Sequence, residues 1–194
     1  MQAIPVWLEP LVWVDYQTAV GLTVILPLLL LGWAFARGLM PLIQMLIIYW
    51  RVSSLLAITV YLMIGAFPIS FLTGLAARVL IVFSLWFWAD LSREILQTKG
   101  LLSLCFRVWR LWVTAYLGVG SLFSAWFIPC AFQQPLSETC QVWFEPPLAF
   151  REIIHPNIAR ETLGLVGLIG LTAYGLYSMV FLWRLNRQSV TPTL

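Results

Sequence analysis

IYWRVSSLLAITVYLMIGAFPISFLTGLAARVLIVFSLWFWADL, from Ile48 to Leu91, reads as two apolar segments folded back on each other at Phe67-Pro68-Ile69. Ile48 to Phe67 is 20 residues, which at about 1.5 Å of rise each matches the roughly 30 Å hydrocarbon thickness of a bilayer. The stretch predicts a membrane helical hairpin around which the rest of the chain is organised. Composition agrees, with 61% apolar and 10% charged side chains, where soluble domains carry about a quarter charged. The chain is therefore read as an all-α integral membrane protein, one helical bundle over residues 1–194.

About five transmembrane helices are expected, at 17–36, 45–67, 70–90, 108–128 and 162–183, with a long lumenal loop at 129–160. Residues 2–15 mix Pro5, Pro10, Trp7 and Trp13 and suit the membrane interface, where an apolar ring with a wet N–H is favoured. Pro27 sits inside the first span and should kink it. The run GLMPLIQMLIIYW after Arg37, residues 38–50 with Pro41 and Gln44, fits either the interface or a downward extension of the second helix. Asp90, Arg93, Glu94, Lys99, Arg107 and Arg110 mark an aqueous loop. No Lys or Arg precedes the first apolar run and no small-residue cleavage pattern follows it, so a secretory signal is not expected.

An odd number of crossings puts the termini on opposite sides. One side then holds Arg37, Arg93, Lys99, Arg107, Arg110, Arg184 and Arg187 against Asp90 and Glu94, seven basic less two acidic, or +5. The other holds Arg151 and Arg160 against Glu9, Asp15, Glu138, Glu145, Glu152 and Glu161, two basic less six acidic, or −4. Basic residues are retained on the cytoplasmic side during insertion. The C-terminus is therefore expected in the cytoplasm, and the N-terminus and long loop in the lumen or periplasm.

On that side Cys130 and Cys140 are expected to form a disulfide, with unlinked thiols and metal or redox chemistry as alternatives. Cys105, near the cytoplasmic face, is read as a free structural thiol. Arg51 and Arg78 interrupt the hairpin, and an unpaired Arg at the bilayer centre costs about 3 kcal/mol on insertion scales. Arg51 is assigned to snorkelling and to a pair with Asp90, since position 51 is expected opposite about 86. Arg78 is assigned a structural ion pair with Asp15 or Glu161. A substrate or proton pathway, a lipid phosphate or another subunit are the alternatives for these arginines. The small residues Gly164, Gly167, Gly170 and Ala173 predict a close helix contact, inside the bundle in preference to a partner. His155 is read as structural before a pigment, haem or metal ligand. The 11 tryptophans fit interfacial aromatic belts; a chlorophyll or carotenoid surface is the weaker explanation, and no cofactor is assigned. No P-loop, HExxH or GxSxG occurs, and no basic run points to nucleic acid. No catalytic, cofactor-binding or metal residue is assigned.

IIYWRVSSLLAITVYLMIGAFPISFL (Ile47–Leu72), SLWFWADL (Ser84–Leu91) and LVWVDYQTAV (Leu11–Val20) together resemble a family of small cyanobacterial integral membrane proteins of unknown function. The likeness covers the first half of the chain well and the rest loosely. It implies a photosynthetic host and a thylakoid membrane, the cytoplasmic membrane being the alternative. The expected function is a non-catalytic accessory subunit or assembly factor that contacts lipid and binds another integral membrane protein, such as a photosystem or a respiratory complex. The rivals are a small transporter or channel component using Arg78, and a pigment-binding membrane protein.

Overall fold

A computed structural model describes residues 5–87, 94–95 and 100–190, with the side chains of 182 and 184–190 left aside. The described residues are helical, without strands. Helix α1 runs Leu8–Arg37 over 30 residues, nine residues earlier than the expected span. Pro10 lies in its first turn, where a missing N–H leaves nothing unsatisfied, and Glu9 faces the positive end of the helix dipole. Pro10, expected in an interfacial segment, is thus tolerated inside a helix, while Pro5 lies ahead of it. Within α1, Val20–Ile25 widens into a π turn just ahead of Pro27, which is where the expected irregularity falls. Gly38 ends the helix in the left-handed conformation at φ 63°, which glycine adopts without a Cβ penalty.

Two residues later α2 starts, Met40–Ile64, 25 residues with Pro41 in its first turn. The stretch left open between interface and helix is therefore helix. α2 is the central element, touching α1, α3 (Ser70–Phe87), α5 (Glu145–Ile154) and α6 (Arg160–Val190). The α2–α3 turn brings Thr59 Oγ1 to 3.0 Å from Thr73 Oγ1. Counting antiparallel from that pair puts position 51 opposite 81, five residues from the expected 86, about 7.5 Å at helical rise.

Helix α4 spans Leu101–Ala125, starting seven residues before the expected span. Arg107 and Arg110, expected in an aqueous loop, are helical residues, and Arg110 is buried. Helices α1, α2, α3 and the Arg160–Phe181 part of α6 are long and apolar enough to cross a membrane, four in all. α4 falls short of the others in apolar content because arginines, serines and glycines dilute it. The described residues are thus all-helical with four candidate membrane spans, one fewer than the expected count.

Two cores hold the bundle. One joins α1, α2, α3 and α4 through Ala34, Leu46, Tyr49, Ile81, Phe106 and Val113. The other lies at the opposite end, where the 126–144 connection folds back and inserts Val142, Trp143 and Phe144 against Leu8, Val12 and Phe71. Trp143 contacts the rings of Phe123 and Phe127, 5.8 and 5.0 Å between centroids. The long loop is a packed cap. Beyond it α5 is amphipathic, exposing Ile153 and Ile154, and α6 docks chiefly on α2.

Candidate functional site

Three helices meet at one buried charge. Arg78, eight positions past Ser70 and so about 12 Å along α3, donates from Nη2 to Asp15 Oδ2 on α1 at 2.5 Å. The Tyr116 hydroxyl on α4 lies 2.7 Å from Asp15 Oδ1 and 2.8 Å from the Asp15 carbonyl. Arg78 is 9% exposed, so its charge is met by protein and not by headgroups. Gly120, one turn past Tyr116, makes the room: a Cβ there would collide with Arg78 Nη1. Of the two counter-ions expected, Asp15 is bonded, while Glu161 pairs with its exposed neighbour Arg160 at 3.2 Å. An intramembrane pair so bonded is a neutral clasp between α1, α3 and α4.

Beside the clasp a crevice of about 240 Å³ runs between α1 and α2. Val12, Ala19 and Val24 line one wall and Ala57, Val60 and Met63 the other, with Asp15 and Arg78 at its side. A neighbouring pocket of about 30 Å³ is bordered by Ser70, Arg78 and Trp143. Ser70 Oγ, Arg78 Nη1 and Trp143 Nε1 are buried with no hydrogen bond among the described residues. A volume of that size accommodates a single water.

Arg110, read from sequence as part of an aqueous loop, is buried. Its guanidinium stacks over Trp86 at 3.8 Å, and Trp86 Nε1 donates to Thr114 Oγ1 at 2.9 Å. A cation on a tryptophan face is a desolvated cation–π pair. The spacing Arg110-x-x-x-Thr114, one turn on one face, was the available signal.

Arg51 is exposed and turned to a groove between α2 and α6. Asp90, its expected partner, lies outside the described residues. Cys130 and Cys140 are joined, their Cα atoms 5.8 Å apart, and Cys105 is free and half-buried. Gly164 and Gly65 are in backbone contact, Gly167 rests on Tyr61 and Leu62, and Gly170 on Ile58. These three glycines face α2 within the bundle, and Ala173 borders the open groove. His155 Nε2 lies 3.0 Å from the Tyr61 hydroxyl, tying the end of α5 to α2. Among the described residues no three of His, Cys, Asp and Glu converge to hold a metal ion.

Apolar helices around a charge-neutral clasp, capped by a disulfide-closed loop, define a small helical membrane protein whose outer surface suits lipid contact. The chain belongs to the family described as "Protein of unknown function (DUF3177)", whose model matches residues 9–192. No curated protein and no solved structure matches it at significant similarity.

Proposed function

We propose that this protein is a non-catalytic accessory subunit or assembly factor that binds another integral membrane protein of a photosynthetic or respiratory complex. The observation that carries the reading is the attachment of α6. It is seated on α2 through one glycine seam, and its other sides expose Leu165, Val166, Ile169, Leu176 and Met179. A helix held along one seam leaves most of its length for a neighbour, and small-residue seams let helices pair closely without large side chains. The use of Arg78 for an anionic substrate is disfavoured, since the substrate would have to displace a bonded carboxylate.

In this reading α4 is the fifth span. Its polar side chains turn inward, Arg110 to Trp86 and Tyr116 to Asp15, while Leu111, Trp112, Val119 and Leu122 are exposed. That division suits a helix in lipid, where polar groups must be satisfied by protein. The charge asymmetry then orients the N-terminus and cap to the lumen or periplasm and the C-terminus to the cytoplasm. The resemblance noted above favours the thylakoid membrane, ahead of the cytoplasmic membrane.

The test is native-gel separation of mildly solubilised membranes with identification of co-migrating subunits. Replacing Leu165, Ile169 and Leu176 together by alanine is expected to release the protein from a larger assembly while it stays folded. Arg78→Leu, assayed for solute flux in vesicles, is expected to leave flux unchanged. Migration as a free protein in both wild type and variant overturns the proposal.

A further inference from the structure

Arg51 is the sole charged residue in the 25 positions of α2, and it is exposed. Among the described residues its guanidinium has no acidic partner. It borders an open groove of about 320 Å³ between α2 and α6. Gly170 and Ala173 make a shallow floor, Tyr174 and Tyr177 bring two phenols, Ser54 adds a hydroxyl, and no acid lines it.

The depth of Arg51 follows from the glycine seam. Gly164 meets Gly65, Gly167 meets Leu62 and Gly170 meets Ile58, so α6 runs antiparallel to α2 with Tyr177 near the level of Arg51. Continuing the count places Arg184, the first charge at that end of α6, level with about position 45. Arg51 thus lies roughly 9 Å deeper than Arg184 at ~1.5 Å per residue. The long stem of an arginine covers much of such a gap by snorkelling. From Arg51 the groove runs towards Ile58 and Gly170, away from the charged end, which is the direction an acyl chain takes from its headgroup.

We propose that this groove binds one anionic lipid of the leaflet on the Arg184 side, with its acidic headgroup at Arg51 and an acyl chain along Gly170, Ala173 and Ile58. The positive charge selects the headgroup, and the short side chain of the exposed Ala173 leaves the groove open for the chain. This site is separate from the Asp15–Arg78–Tyr116 clasp and does not rest on the proposed protein partner.

The experiment is native mass spectrometry of the purified full chain with phosphatidylglycerol and phosphatidylcholine added in equal amounts. Wild type is expected to retain one phosphatidylglycerol at least about fivefold over phosphatidylcholine, the scale one basic side chain contributes at an anionic surface. Arg51→Gln should bring that ratio close to one, and Arg51→Lys should keep most of it. Ala173→Leu fills the groove at an exposed position and should lower retention of both lipids, which decides the matter if Arg51→Gln fails to fold. Equal retention of the two lipids by wild type overturns the proposal, as does undiminished phosphatidylglycerol in a folded Arg51→Gln protein. Loss of a co-purifying membrane protein from Arg51→Gln, with lipid retention unchanged, assigns the charge to a partner's carboxylate and overturns it too.

Discussion

The Tyr49 hydroxyl on α2 donates a 2.6 Å hydrogen bond to the main-chain carbonyl of Thr23 on α1. Trp109 Nε1 on α4 donates to the adjacent carbonyl of Leu22 at 2.8 Å. Pro27 lacks the main-chain donor that would meet one or the other of these carbonyls. Residue 27 would close on Thr23 in α register and on Leu22 in the π register of Val20–Ile25, and proline has no N–H. Side chains of two other helices supply what the proline removed, as the absence of water in a bilayer requires.

Tyr49→Phe is therefore expected to lower stability by about 1–3 kcal/mol, the cost of a buried acceptor left unmet. Pro27→Ala restores a main-chain donor, so the same change should cost less in that background. Thermal unfolding of the four proteins in detergent gives the coupling; additive effects would show that the proline and the tyrosine act independently.

Asp15→Ala removes the partner of a buried guanidinium and should destabilise by about 3–5 kcal/mol. Replacing both Asp15 and Arg78 by leucine removes the stranded charge and should recover a good part of that loss. Urea or thermal melts that rank the double variant below Asp15→Ala would contradict the clasp as a structural pair.

Two glycines should respond with opposite sign. A Cβ at Gly65 would lie 2.6 Å from the Cα of Gly164, so Gly65→Ala must push α6 away from α2. Gly118 has nothing within 4 Å of its added Cβ, and Gly118→Ala should stabilise α4 by up to about 1 kcal/mol through helix propensity. Melting temperatures moving in the same direction for both would refute the packing assigned to the seam.

Reduction of the Cys130–Cys140 bond should cost about 2–3 kcal/mol in the chain-entropy account of a closure of this length. The loss should appear first at the cap, as protease cleavage between Phe132 and Ser137 in reduced protein. Mass measurement of membranes alkylated before lysis checks the bond itself: free thiols at both positions contradict it, and with it the oxidising compartment assigned to the cap.

Composition and run length made the solvent legible: uncharged stretches such as Tyr16–Ala36 and Thr162–Trp183 name a bilayer because no other environment repays so much apolar surface. The two cysteines in one polar connection and the 164–167–170 glycine repeat were also open to reading, since each depends on residue type at short spacing. Helix boundaries were less so. Pro10 suited an interfacial segment and Pro41 suited either that or a helix, yet both lie in a first turn, where a proline forfeits no hydrogen bond, and nothing local separates those cases.

Which charges met was decided by the tertiary structure. Asp15 and Arg78 are 63 positions apart and Asp15 and Tyr116 are 101, so their contact depends on how three helices rotate and slide, set by packing between faces and not by any one segment. The same holds for Arg110, which sequence placed in water and the fold set on Trp86. Hydrophobicity reports the medium a helix enters; the partner of each polar group is fixed only when neighbouring helices lock in register.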